Sequence, residues 1–119
     1  MVDHLNKKDI LSSPALNDIH NAIQENPVVL FMKGTIDMPM CGFSATVVKI
    51  LQLLKVKFVA VNVLDDEEIR ESIKQYSSWP TIPQLYLDQE FMGGCDIVKE
   101  LYESGELEII LRNYINTAD

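Results

Sequence analysis

The stretch from Val28 to Val63 constrains the fold more than any other part of the chain. "VVLFM" (28–32) is a short, continuous run of branched and aromatic residues, the composition of a strand buried on both faces. The loop "KGTIDMPM" follows, with Gly34 and Pro39 as breakers. From about Gly42 to Leu54 the apolar positions Phe43, Val47, Ile50, Leu51 and Leu54 recur at helical spacing and mark a buried helix face. "KFVAVNV" (57–63) then reads as a second buried strand. Strand, helix and strand in so short a span form a βαβ unit, and its two strands must run parallel.

The segments on either side extend this unit. Ser13-Pro14 reads as an N-cap followed by proline at the first helical position, and Leu16, Ile19 and Ile23 give that helix an apolar face up to Asn26-Pro27. "LDDEEIRESIKQY" opens with acids, which favour a helix N-terminus, and places Ile69 and Ile73 on one side. After "SSWPTIP", the strands "QLYLD" and "EFM" turn at Asp88-Gln89 as an antiparallel hairpin. "CDIVKELYES" is a helix stopped by Gly105, and a last helix spans about 106–115. Residues 1–12 read as a flexible polar lead-in, and 13–116 as one folded domain. The order α-β-α-β-α-β-β-α-α predicts an α/β protein: a four-stranded mixed sheet flanked by helices on both faces, in the thioredoxin-like layout.

Composition narrows the chemistry. A net charge of −8 argues against nonspecific nucleic-acid binding, where Lys and Arg must neutralise phosphates. No apolar run approaches the roughly 18–20 residues that span a bilayer. "MVDHLNKKDI" lacks a signal-peptide core, and Asp3 and Asp9 fit an acid-poor transit peptide badly. The expected location is the cytoplasm, or an organelle matrix if a targeting segment precedes residue 1. His4 and His20 have no zinc-finger spacing to either cysteine and read as surface residues. Two cysteines do not make a disulfide scaffold; in a reducing compartment they are free, catalytic or metal-binding.

"PMCGFS" (39–44) places Cys41 at a strand-to-helix turn. The first N–H groups of a helix lack intrahelical partners, and its dipole puts about half a positive charge there. A thiolate at that point is favoured, so the pKa of Cys41 should fall below the free value of about 8.5, with Lys33 adding charge across the turn. A buried structural cysteine is the plainer alternative, but Gly42 supplies no covering side chain. Ser44 stands where a dithiol enzyme has its second cysteine, and a hydroxyl cannot resolve a mixed disulfide. Either an outside thiol resolves the disulfides of Cys41, or disulfide chemistry is not its main task.

Three further stretches matter if they converge on Cys41. "WPTIP" sets Thr81 and Ile82 before Pro83, and "GGCD" sets Gly94, Cys95 and Asp96 at a helix N-terminus whose N–H groups can hold a carboxylate. Asp96 could receive an amino group, or be an ordinary first-turn acid. Cys95 could be a resolving thiol, a packed small residue or a backbone contact. Arg70 reads by default as a solvated arginine, and Tyr76 and Trp79 as packing residues.

Taken together, "FMKGT", "PMCGFSATVV", "YSSWPTIPQLYLD" and "FMGGCDIVKELYESGEL" closely resemble the CGFS-type monothiol glutaredoxins over about residues 15–115. The resemblance implies a thioredoxin-like fold that binds glutathione beside Cys41. Lys33 and Arg70 match the residues that meet the glycyl carboxylate. Ile82, before the cis-proline position Pro83, matches the residue that pairs its backbone with the tripeptide, with Thr81 beside it. Gly94, Cys95 and Asp96 match the γ-glutamyl end, with Asp96 facing the amino group, and Phe43 and Ser44 lie in the motif around the ligand. The family assembles as homodimers around a 2Fe-2S cluster, each subunit giving one cysteine, here Cys41, and each bound glutathione its thiol. It delivers clusters to iron–sulfur acceptor proteins, pairs with BolA-type partners, is monomeric without the cluster, and has weak disulfide reductase activity. Ile36, where many relatives have proline, and Ser72, where many have glycine, depart from the pattern.

Overall fold

A computed structural model describes residues 13–116 together with Lys8 and Ile10. The lead-in expected over 1–12 and the reading of His4 therefore fall outside the described residues, apart from Lys8 and Ile10, both helical, with Ile10 buried.

Helix α1 spans Pro14–Glu25; Ser13 caps it, its hydroxyl accepting the Leu16 N–H at 3.3 Å. Strand β1 (Val28–Met32) is buried at every position. Helix α2 (Gly42–Leu53) and strand β2 (Val59–Asn62) complete the βαβ unit, with β1 and β2 parallel. Helix α3 (Glu67–Ser77) is capped by Asp66 and leads to the hairpin β3 (Gln84–Leu87) and β4 (Glu90–Gly93). Asp88 and Gln89 both take positive φ, 49° and 73°, the backbone of a two-residue type I′ hairpin turn. Helix α4 (Cys95–Glu103) follows, then α5 (Glu106–Ile110) after Gly105 at φ 83°.

The sheet order is β2-β1-β3-β4, with β3 antiparallel to both neighbours, so the mixed four-stranded sheet is as expected. Alternation along β1 divides the core. Val28, Leu30 and Met32 face α2, α4 and α5, packing against Val47, Leu51, Val98 and Leu107. Val29 and Phe31 face α1 and α3, packing against Ile19, Ile23, Ile73 and Tyr86. Burying one such side chain contributes about 1.5–3 kcal/mol, and β1 places all five between two helical layers. Among the described residues no helix is long and apolar enough to cross a membrane.

Four sequence expectations need correction. β2 is not buried on both faces: it is shorter than 57–63, lies at the sheet edge, and leaves Val59 40% exposed. Phe43 is not on the buried face of α2; it lies in the first turn, lines the cavity described below and is 62% exposed, while its neighbour Ser44 turns inward. The last helix does not run to 115, because α5 ends at Ile110 and a 3₁₀ turn, Arg112–Tyr114, follows. That break lets the chain return to the segment before β2: the Lys57 N–H donates to the Tyr114 carbonyl and the Asn116 N–H to that of Lys55. Nor is His20 simply a surface residue, since it is half-buried and its Nδ1 bonds the Tyr76 hydroxyl at 3.0 Å.

Candidate functional site

β1 ends at Met32, and the loop 33–40 folds back on itself before α2 begins. The Met40 N–H donates to the Lys33 carbonyl at 2.8 Å, and Thr35 and Met38 exchange backbone hydrogen bonds at 3.1 Å. Gly34 is required: it has φ 95°, and a Cβ there would sit 2.5 Å from the Met38 carbonyl oxygen and the Met40 nitrogen. Its N–H donates to Asn62 Oδ1 at 2.9 Å, which also accepts the Leu64 N–H, so the end of β2 holds the loop. The result is a rigid shelf that delivers Cys41 to the N-terminus of α2.

Cys41 is the N-cap residue of α2, in extended backbone, half-buried and free. Its sulfur closes no cap hydrogen bond of its own, but several groups favour its thiolate. Partial burial pushes the pKa up; the N–H groups of Ser44 and Phe43, the Ser44 hydroxyl and the charge of Lys33 outweigh that, and the pKa lies below 9.0. Ser44 itself is fully buried, and its Oγ accepts the Lys33 N–H at 3.1 Å. Around the sulfur Met38, Met40 and Phe43 are exposed, and a Cβ on Gly42 would meet nothing within 4 Å. One side of Cys41 is therefore open.

Cys41 also lines a cavity of about 500 Å³. Lys33, Cys41, Phe43, Arg70, Thr81, Ile82, Pro83, Gly94, Cys95 and Asp96, every candidate residue of the sequence reading, line it. Five separate segments contribute: the end of β1, the start of α2, the face of α3, the loop before β3 and the start of α4. The Ile82–Pro83 bond is cis. Gly94 approaches this loop so closely that a Cβ would lie 3.3 Å from the Pro83 carbonyl oxygen. Asp96 stands in the first turn of α4, which Gly94 caps. Lys33, Arg70 and Lys74 bring positive charge to the wall and Asp96 negative charge. The Arg70 Nε is buried with no hydrogen-bond partner.

Cys95 is free and half-buried like Cys41, but it packs against the α2–α4 core and its thiolate is disfavoured. Burial pushes its pKa up, the neighbouring Asp96 and Cys41 push the same way, and Lys99 only partly offsets them. The surroundings therefore favour the thiolate at Cys41 and the thiol at Cys95.

Sequence reasoning missed four residues. Lys74 lies one helical turn after Arg70 and lines the same cavity. Trp79 is both a packing and a lining residue, its ring tilted against Phe91 at a centroid distance of 5.5 Å, and Phe91 in turn meets Tyr86. Gln84 is fully buried and its Nε2 donates to the Trp79 and Thr81 carbonyls at 3.1 and 3.2 Å, fixing the loop that forms the cavity floor. Asn62 braces the Cys41 loop from the neighbouring strand. The i+4 spacing of Lys74 to Arg70 was the one available signal; Gln84 and Asn62 act through the tertiary fold alone.

Residues 28–92 match the glutaredoxin family. The chain is 57% identical over 104 residues to probable monothiol glutaredoxin 2 of Rickettsia typhi, spanning 87% of this chain and 94% of that protein. To the mitochondrial monothiol glutaredoxin-5 of Schizosaccharomyces pombe it is 50% identical over 106 residues, 87% of this chain and 73% of that one. Reduced poplar apo GrxS14 in solution superposes with a TM-score of 0.72 at 52% identity, covering 82% of this chain and 90% of that one.

Proposed function

The chain belongs to the monothiol glutaredoxins, and from that premise we propose that it binds glutathione beside Cys41 and carries a 2Fe-2S cluster between two copies of itself, for delivery to acceptor proteins. The charge pattern of the cavity supports the first part. A γ-glutamyl tripeptide has a carboxylate for Lys33 and Arg70 at one end and an amino group for Asp96 at the other. Between them Ile82 offers backbone groups to an extended peptide, a small case of strand addition. The N-terminus of α4, at Cys95 and Asp96, suits the γ-glutamyl carboxylate. Thr81, Pro83, Gly94 and Phe43 wall the tripeptide in, and its thiol lies towards Cys41.

One observation carries the cluster reading. The buried Ser44 hydroxyl is engaged with the Lys33 N–H, so the motif offers one sulfur and a structural serine. A 2Fe-2S cluster needs four ligands, typically thiolates. Among the described residues no three or more of His, Cys, Asp and Glu group to hold a metal. A half-exposed Cys41 whose thiolate is favoured fits as one ligand of four; a glutathione thiol supplies the second, and a partner chain the same pair. The bound cluster is cargo, and its chemistry is transfer of iron and sulfide to an apo-protein. The loaded state is then a homodimer and the unloaded state a monomer, with a BolA-type protein as an alternative partner on the same open side of Cys41. We place the protein in the cytoplasm or an organelle matrix, where glutathione keeps both thiols reduced.

Protein isolated without oxygen in the presence of glutathione should be brown and dimeric, with visible absorption from the cluster. Equal iron in wild-type and Cys41→Ala protein would overturn the reading.

The favoured Cys41 thiolate also supports a second activity, reduction of glutathione mixed disulfides. The Cys41 thiolate attacks the glutathione sulfur of a protein–glutathione disulfide, forming Cys41–S–S–glutathione and releasing the protein thiolate. A second glutathione thiolate then attacks that glutathione sulfur, giving oxidised glutathione and restoring Cys41. A coupled assay decides its weight, because turnover at the level of dithiol glutaredoxins would make it the principal function.

A further inference from the structure

A second cavity, of about 590 Å³, lies at the end of β1 remote from Cys41. Val28 lines it and Lys33 lines the first, so β1, about 16 Å of strand, separates the two. The cavity marks a change of partner beside the sheet. The β1–β2 ladder starts at Val29 and Val59, and just before it the Lys57 N–H bonds the Tyr114 carbonyl instead. The turn into β1 at Asn26-Pro27 and the C-terminal segment 113–116 therefore flank the same stretch, 57–59, and all three line the cavity.

The walls are mainly apolar, with two rings, Phe58 and Tyr114, beside Val28, Val59 and Ile115. The Tyr114 hydroxyl is committed, donating to Asp88 at 2.6 Å, so Tyr114 offers the cavity its ring. Charge comes from Lys57: no acid lines the cavity, and among the described residues Lys57 makes no ion pair, on a chain with 18 acids to 10 bases. The Asn113 amide, also on the wall, has no hydrogen-bond partner among the described residues. Apolar walls with a few polar groups, at about 300–1,000 Å³, are the usual make-up of a small-molecule site. One ammonium and one amide donor match a carboxylate, whereas a doubly charged phosphate would need a second cation. Two rings on the wall suit an aromatic body.

We propose that this cavity is a second ligand site, which takes a small aromatic carboxylate, its ring against Phe58 and Tyr114 and its charge at Lys57 and the Asn113 amide. The site and the chemistry at Cys41 do not depend on each other. The test is titration of the reduced full chain with benzoate at millimolar concentration, followed through backbone amide shifts. Shifts should gather at residues 26, 28, 57–59 and 113–116. Benzamide, which lacks the charge, and acetate, which lacks the ring, should both bind more weakly. Lys57 is exposed, so its substitution leaves the core intact. Lys57→Gln should weaken benzoate roughly two- to five-fold and leave benzamide unchanged, and Lys57→Arg should stay near wild type. Equal affinity for benzoate and benzamide, or an unchanged benzoate affinity in Lys57→Gln, would overturn the proposal. So would shifts confined to the lining of the cavity beside Cys41, or none in either place.

Discussion

The Ser44 hydroxyl accepts the backbone N–H of Lys33 at 3.1 Å, joining the first turn of α2 to the residue that follows β1. The same hydroxyl favours the Cys41 thiolate. A hydroxyl has one proton to give and lone pairs to receive, so Ser44 can accept from Lys33 while donating towards the sulfur. The serine is thus no vacant half of a dithiol motif. It fixes the turn and tunes its one cysteine.

Ser44→Ala removes both contacts. Leaving the half-buried Lys33 N–H without a partner should cost about 1–3 kcal/mol, read as a lower urea midpoint with unchanged m-value. The Cys41 pKa should rise at the same time, read from the pH dependence of its alkylation. A variant as stable as wild type with the same alkylation profile would refute both roles.

The two cysteines should titrate on opposite sides of a free thiol, Cys41 below and Cys95 above it. Mass spectrometry of alkylated peptides across pH resolves them separately. The stability linkage has the same signs. A depressed pKa contributes stability that is present above the unfolded value and lost as pH falls through the folded value, so Cys41 favours folding most on the alkaline side. The raised pKa of Cys95 contributes stability below the unfolded value that is lost as pH rises through the folded one. Cys41→Ser should therefore lower stability more at pH 10 than at pH 6, and Cys95→Ser should do the reverse.

Gln84 connects the sheet to the cavity. Its two donated bonds hold the Trp79 and Thr81 carbonyls, and its Oε1 accepts the Tyr86 hydroxyl at 3.4 Å. Gln84→Leu keeps the volume and strips these bonds, leaving polar groups unpaired at about 1–3 kcal/mol. Thermal unfolding should shift down, and hydrogen exchange should rise at residues 79–82 before it rises in β1. Uniform exchange in both regions would mean that Gln84 does not fix this loop.

Gly34→Ala combines two penalties. Alanine at φ 95° is strained, and its Cβ would press on the backbone at Met38 and Met40. The neighbours are backbone atoms held by hydrogen bonds, so they cannot yield cheaply. A loss of at least about 1–2 kcal/mol is expected, with the Cys41 amide displaced in an NMR spectrum. A stability equal to wild type would show that the 33–40 loop is not rigid.

Which parts were legible in the sequence follows from what each residue's neighbours are. β1 announced itself because five apolar residues in a row have no other home than between two layers. The Asp88-Gln89 turn and the Ser13 cap were readable because each is set by local backbone chemistry. β2 was misread because "KFVAVNV" looks the same in the middle of a sheet as at its edge; position in the sheet order is a tertiary fact. Phe43 has helical spacing with Val47 and Ile50, but in the first turn of α2 it is Ser44 that is buried while Phe43 faces the cavity, a tertiary fact that spacing does not carry. The cavity walls were found through motifs, whereas Gln84 and Asn62 position them from within the fold and carry no motif of their own.

Phe43 gives the sharpest separation between folding and function. Being 62% exposed beside Cys41, it contributes little to the core, so Phe43→Asp should change stability by less than about 0.5 kcal/mol. Yet Met38, Met40 and Phe43 are exposed apolar side chains flanking Cys41 in the chain, and under the proposed function they face a second chain around the cluster. A carboxylate there meets its own copy across the two-fold axis, in an environment dry enough to strengthen like-charge repulsion. The variant should therefore remain folded but stay monomeric and colourless when reconstituted with iron, sulfide and glutathione. Because Phe43 also lines the cavity, a glutathione titration of the same variant separates loss of the second chain from loss of the ligand. Sedimentation and visible absorption on one sample decide the matter. A brown dimer from Phe43→Asp would place the second chain elsewhere, and an unfolded variant would show instead that Phe43 packs in the monomer.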